Sequence, residues 1–180
     1  PALRDAFPVC HITWITAPES REILECAPGI DRRLTLRLED VLALELESFD
    51  LLMNFDKDAE ALALAARVRA REKRGFAPHP EHGTLGIFNP ASLYALRLGL
   101  SDELKFRLNQ KTYPEIIFEM AELPYAGQPY RLEPSPAARE QARRRFAEWK
   151  RAAGDGPAPA RVIALNTGCG DRFPTKQWTA

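Results

Sequence analysis

The feature that most constrains this chain is an alternation. Short runs rich in β-branched and aromatic residues exchange with helix-period segments in steps of roughly ten residues, the rhythm of βαβ units. Residues 2–7 read as the last turns of a helix, and Val9 to Thr16 as a strand buried on both faces, ended by Pro18. Glu19 to Ala27 spaces Ile23, Leu24 and Ala27 as a short amphipathic helix closed by Pro28-Gly29, and Ile30 to Leu36 is a second strand. Leu38, Val41, Leu42, Leu44 and Leu46 suggest another helix, Phe49 to Phe55 a third strand, and Ala59 to Val68, rich in Ala and Leu, a strong helix. Lys73 to Ala77 returns to the sheet. The pattern predicts an α/β fold with a mostly parallel, doubly wound sheet.

Beyond Pro78 the rhythm lapses into a loop or hairpin as far as Phe88, after which Asn89 and Pro90 supply an N-cap and first position for a helix carrying Leu93, Leu96, Leu98 and Leu100. Tyr113-Pro114 opens another helix, running through Met120. Four prolines and a glycine between Pro124 and Pro136 mark a connection across the surface and a domain boundary. A charged helix is expected over Ala137 to Ala153, then a flexible stretch from Gly154 to Pro159, and Arg161 to Asn166 reads as the first buried strand of a new α/β domain. The organisation predicted is a first domain over 1–123, a connection and charged helix over 124–159, and the start of a second domain over 160–180. The chain is expected to be a fragment cut at both ends.

Composition narrows the functional classes. Among 180 residues, 25 Lys and Arg balance 25 Asp and Glu, so no global basic field exists to hold nucleic acid or an anionic membrane. With 45% hydrophobic and 28% charged residues, a packed core is expected rather than a disordered chain. Cys10, Cys26 and Cys169 form no CxxC and are odd in number, which argues against a disulfide framework or a structural zinc site and fits a reducing cytosol. No run approaches the ~18 apolar residues of a membrane span, and no signal peptide is visible at Pro1 to Pro8. A cytoplasmic location follows as the expectation.

Open parallel sheets bind ligands beyond the carboxyl ends of their strands. Two segments qualify. Asn54-Phe55-Asp56-Lys57-Asp58 places an amide, two carboxylates and an ammonium after a buried strand, suited to a hydroxylated substrate; acids at a helix N-terminus placed for capping and dipole reasons is the other reading. Asn166-Thr167-Gly168-Cys169-Gly170, followed by Lys176, combines a hydroxyl, glycines that let backbone approach phosphate oxygens, and a point charge for a diphosphate; a tight turn with surface charges is the alternative. His79-Pro80-Glu81-His82 has the composition of a metal-binding pair, but a proline-bearing loop with no third ligand in sight predicts no metal. Arg67, Arg69, Arg71, Lys73 and Arg74 form a basic patch that reads as a solvated helix end or, alternatively, a site for an anionic acceptor.

Several segments resemble, in order along the chain, the glycosyltransferase family 9 enzymes, the ADP-heptose:lipopolysaccharide heptosyltransferases and their relatives. They are Ile12 to Ser20, Phe49 to Asp58, Leu104-Lys105-Phe106 with Asn109 and Lys111, Tyr113 to Glu119, Asn166-Thr167-Gly168, and Phe173 to Thr179, the last similar to the K-x-W-[PT] signature of that family. The resemblance implies a GT-B architecture of two Rossmann-like domains, the first holding the acceptor and the second the nucleotide-sugar. It implies inverting transfer of a sugar, heptose by this likeness, from a nucleoside diphosphate to a lipid-linked lipopolysaccharide-core acceptor, on the cytoplasmic side and with possible peripheral contact to the inner membrane. No metal or cofactor is implied, because the nucleotide-sugar is a substrate. Lys176 corresponds to the lysine that stabilises the leaving diphosphate, with Asn166, Thr167, Gly168 and Gly170 on the donor side and Asn54, Asp56, Lys57, Asp58 and Lys111 on the acceptor side. The general-base aspartate of the family belongs to a G-D motif ahead of the segment matching Pro1-Ala2-Leu3-Arg4, so this chain by itself is expected to be inactive. A non-catalytic Rossmann-like binding or interaction module is the competing expectation.

Overall fold

The computed structural model describes residues 1–131 and 133–152. The chain divides into two compact units, Pro1–Pro134 and Ser135–Ala180. The first is α/β. It contains β1 (Thr13–Thr16), β2 (Arg32–Thr35), β3 (Ser48–Asn54), β4 (Arg69–Pro78) and β5 (Leu85–Ile87), with helices α1 (Ala2–Ala6), α2 (Arg21–Glu25), α3 (Leu38–Leu46), α4 (Ala59–Arg67), α5 (Leu93–Leu100) and α6 (Tyr113–Met120). Strands β1 and β2 form a parallel pair, with Thr13 opposite Arg32 and Thr16 opposite Thr35. A separate three-stranded sheet has the order β3-β4-β5, in which β3 and β4 are parallel and β5 returns antiparallel, pairing Phe76 with Ile87.

Two apolar clusters hold this unit together. Leu62, Phe76, Ala95, Ile116 and Met120 form the first, joining α4, β4, α5 and α6. Leu34, Leu44, Leu64 and Val68 form the second, joining β2, α3 and the end of α4. Helix α4 thus sends Leu62 to one cluster and Leu64 to the other. Burying one such side chain contributes about 1.5–3 kcal/mol, so α4 is the element whose loss would open both.

Local chemistry explains several boundaries. Thr112 and Glu115 form a reciprocal capping box ahead of α6, with Pro114 early in the first turn, where its missing N–H costs nothing. At the other end Leu123 N–H donates to Phe118 O at 3.0 Å, a Schellman closure that puts Glu122 at φ 52 in the left-handed region usually given to glycine. The Glu122 carboxylate accepts from Asn89 Nδ2 at 2.8 Å and lies 3.6 Å from Arg74 Nε, which offsets that backbone cost. Between α5 and α6, Leu104–Leu108 makes a π-helical turn.

The first strand departs from expectation. Only Thr13–Thr16 pairs, Val9 is almost wholly exposed and Trp14 is 45% exposed, so the segment is not buried on both faces. Asp31 intervenes: its carboxylate accepts Ile12 N–H at 2.7 Å and pairs with Arg4 at 2.5 Å, holding residues before Thr13 in a polar turn rather than a ladder. The strand expected from Lys73 is present but begins earlier, so Arg69 and Arg71 are corrected from helix end to strand. Helix α4 ends at Arg67, and Arg69 to Arg74 lie on β4, registered against β3 with Ser48 opposite Arg69.

In the second unit, α7 (Pro136–Ala152) begins after Ser135, whose Oγ accepts Ala138 N–H at 3.1 Å. It has no buried residue, and Glu140 pairs with Arg144 one turn on, at 3.0 Å. No helix among the described residues is long and apolar enough to cross a membrane.

Candidate functional site

The carboxyl ends of β3 and β4 lie together because the two strands are parallel and in register, with Asn54 opposite Gly75. The approach is close. A Cβ on Gly75, at φ +97, would lie 1.9 Å from Asn54 O, so only glycine allows β3 and β4 to meet in this way. Asn54, nearly buried, donates from Nδ2 to Phe76 O at 3.0 Å and to Asp56 O at 3.1 Å, while its Oδ1 accepts Asp56 N–H at 3.1 Å. The strand is thereby turned sharply into the loop that precedes α4.

The two carboxylates of this loop do different work. Asp56 Oδ1 accepts the N–H groups of Lys57 at 2.6 Å and Asp58 at 3.0 Å, anchoring the turn from just ahead of the helix. Asp58 occupies the N-cap position of α4, yet its side chain makes no capping bond and stands exposed to solvent. The capping reading therefore does not hold for the Asp58 side chain. The sequence does not distinguish the two acids, whereas the geometry assigns backbone anchoring to Asp56 and gives the Asp58 carboxylate no partner among the described residues.

Both acceptor-side ammonium groups rest on α5. Lys57 Nζ sits 4.8 Å from the centroid of the Phe76 ring, and Gly99 leaves it room, since a Cβ there would lie 3.5 Å from Nζ. Lys111 Nζ lies over the Tyr94 ring at 4.3 Å and is paired with Glu119. Tyr94 and Gly99 are five residues apart on one helix, about 7.5 Å along its axis. Tyr94 Oη donates to Asn109 Oδ1 at 2.6 Å, and Asn109 also accepts Lys111 N–H at 3.1 Å, so the loop carrying Lys111 is tied to α5 by a second route. The π-helical turn before it presents Phe106 and Leu108 to solvent beside Lys105 and Arg107. Five positions turn through about 140°, so Tyr94 and Gly99 face different sides of α5. Beside Lys57, hydroxyl-rich groups can be met by the Asp58 carboxylate, which has no partner among the described residues, while Lys111 stands apart on the Tyr94 side, paired with Glu119.

The basic patch is largely spent within the fold. Arg67 pairs with Glu45 at 2.5 Å, and Arg69 donates to Leu46 O at 2.8 Å. Lys73 donates to Ala65 O and Ala66 O, closing the carbonyl end of α4, and burial pushes its pKa below the ordinary lysine value. Arg74 bridges Glu72 and Ala121 O. An anionic acceptor is not favoured there.

A polar hub escaped the sequence reading. Asn89 caps nothing through its own side chain. Its Oδ1 accepts Gly75 N–H at 2.9 Å and Ser92 Oγ at 2.6 Å, and its Nδ2 donates to Met120 O and Glu122. The bonds to Met120 and Glu122 span more than thirty residues, and no local spacing signals a partner so distant. The hub holds β4, α5 and α6 behind the loop at Asn54.

Asn166, Thr167, Gly168, Gly170 and Lys176 lie outside the described residues, as does the strand expected at Arg161 to Asn166. His79, Glu81 and His82, on the β4–β5 hairpin, do come together, and the third ligand absent from the sequence reading is the carboxylate of Glu81. No family model, curated protein or solved structure matches this chain.

Proposed function

We propose that this chain is the acceptor-binding half, with the opening of the donor half, of an inverting GT-B glycosyltransferase of the family 9 type. On this reading the first unit is a Rossmann-like, doubly wound domain. The enzyme moves a sugar, heptose by resemblance, from a nucleoside-diphosphate donor to a lipopolysaccharide-core acceptor in the cytoplasm, at the inner membrane face. The observation that carries the reading is the exposed carboxylate of Asp58, which has no partner among the described residues, beside Lys57 and beyond the carboxyl ends of parallel β3 and β4, where α/β sheets bind ligands.

In the reaction an acceptor hydroxyl attacks the anomeric carbon and gives its proton to a base, while the bond from that carbon to the diphosphate oxygen breaks with inversion. Asp58 and Asn54's loop orient acceptor hydroxyls, and Lys57 and Lys111 meet its anionic groups. Lys176 stabilises the departing diphosphate, where negative charge grows in the transition state. No residue of this chain is assigned the role of base.

The test is steady-state kinetics on the parent protein carrying this chain and a complete donor half, with ADP-heptose as donor. Asp58→Asn is expected to raise the acceptor KM severalfold with an unchanged melting temperature, because Asp58 makes no capping bond. An unchanged KM would remove Asp58 from the acceptor site. A second reading, a non-catalytic binding module, is favoured by the consumption of Asn54 and Asp56 in backbone bonds. Binding of a nucleotide-sugar by the parent with no transfer would decide for it.

A further inference from the structure

The β4–β5 hairpin carries three metal-ligating side chains that the acceptor reading does not use. His79, Glu81 and His82 offer ligand atoms within 4.8 Å of one another. The two imidazole rings face each other at 5.2 Å between centroids with 5° between their planes, and the Glu81 carboxylate is 3.6 Å from His82 Nε2. We propose that this hairpin is a binding site for a divalent transition cation, held by two imidazoles and one carboxylate with the remaining positions open to solvent or to a ligand.

The backbone makes the site without help from a metal. His79 N–H donates to Thr84 O at 2.5 Å and Gly83 N–H to His79 O at 2.9 Å, closing the loop at both ends, and Gly83 takes the left-handed φ of +65 that the turn requires. Pro80 fixes one further dihedral between the first two ligands. Much of the entropy of gathering three ligands is therefore spent in folding, which lowers the cost of binding. In a tetrahedral shell with bonds of 2.0–2.1 Å the ligand atoms stand about 3.3 Å apart, so closure needs roughly 1.5 Å of adjustment and a swing of the two exposed rings out of their parallel stack, so that their in-plane nitrogen lone pairs converge. The one bond to be exchanged is weak: Glu81 N–H reaches His79 Nδ1 at 3.4 Å. Imidazole with carboxylate suits zinc, nickel and copper(II) rather than magnesium or calcium.

The position gives such a cation a use. His79 lies four residues beyond Gly75 on β4, about 13 Å past the point where Asn54 and Gly75 pair, and at the same end of the sheet. A bound cation would pin the hairpin at the rim of that end. The inference stands independently of the glycosyltransferase reading, since it rests on the hairpin alone.

Titration of the whole chain with zinc, followed calorimetrically near neutral pH, tests it, with cobalt(II) absorption as a second readout. One equivalent is expected, with no thiolate-to-cobalt charge-transfer band. His79→Gln and His82→Gln should each weaken binding by about 10-fold or more, at least what loss of a supporting second-shell partner costs. His11→Gln and Cys10→Ser should leave it unchanged. Undiminished binding in either hairpin variant, a thiolate band, or no binding at millimolar zinc would overturn the site.

Discussion

Residues 1–47 and 48–123 are built on the same alternation of strand and helix, yet they are finished differently. In the later region three strands carry α4, α5 and α6, and side chains such as Met120 (1% exposed) disappear from solvent. In the earlier region β1 and β2 are a lone parallel pair, and Trp14, Ile23, Leu38, Leu42 and Leu46 remain largely exposed. Leu38, Leu42 and Leu46 recur every four residues, one stripe of α3 turned away from Leu44 and the second cluster. Parallel strands are ordinarily covered on both faces, because each face carries apolar side chains. Periodicity announces that a face is apolar; it does not say that a partner element lies against it.

The comparison is sharpest at two glycines. Gly75, in the later region, faces backbone: a Cβ would meet Asn54 O at 1.9 Å, and φ is +97. Gly29, in the earlier region, has φ +81, but its nearest neighbour is the flexible Arg4 side chain at 3.7 Å. Gly75→Ala is expected to cost about 4 kcal/mol, at the upper end for single substitutions, and Gly29→Ala about 1 kcal/mol for the dihedral alone. Urea unfolding of both variants measures the gap; comparable losses would mean that the two regions are equally constrained.

Packing gives the next effect. Leu62→Ala removes a side chain from the first cluster and should cost about 2–5 kcal/mol. Leu42→Ser, on the exposed stripe of α3, should stay within about 0.5 kcal/mol. A large loss at Leu42 would show that α3 is covered in solution.

The smallest effect is electrostatic and distinguishes the regions by pH. Asp31 is held below its ordinary pKa by the Ile12 N–H and then by Arg4, and Asp40 by the Thr35 N–H and hydroxyl. Because their folded pKa values are depressed, the stability they contribute is present above the unfolded value near 3.9 and is lost as pH falls through the folded one. Below about pH 4, hydrogen exchange at Ile12 and Thr35 should therefore quicken before exchange within β3 and β4. Asp31→Asn and Asp40→Asn should flatten that acid dependence. Simultaneous loosening of both sheets would break the distinction.

The candidate site was legible in part for the same reasons. A polar cluster directly after an apolar run, at the entry to an Ala- and Leu-rich helix, can be read from neighbouring residues, and Asn54 to Asp58 do occupy the carboxyl end of a parallel strand. Which carboxylate anchors the backbone could not be read, since Asp56 and Asp58 differ only in where the turn aims them. Lys111 reaches α5 only through Tyr94 and Asn109. The first part of the basic run was misplaced because Arg, Lys and Glu suit helix ends, whereas pairing with β3 starts the strand expected from Lys73 already at Arg69.

Sequence alone determined what depends on neighbours within about one helical turn: the alternation of elements, the helix opening at Tyr113-Pro114, and the break in the rhythm after Pro78. Tertiary structure decided what depends on groups far apart in the chain. Asn89 gathers Gly75, Ser92, Met120 and Glu122, and Lys57 settles over Phe76 of β4 while Lys111 settles over Tyr94 of α5. The physical reason is that a buried polar group must find a partner wherever the fold supplies one, and the identity of that partner is a property of the packed arrangement rather than of any local spacing.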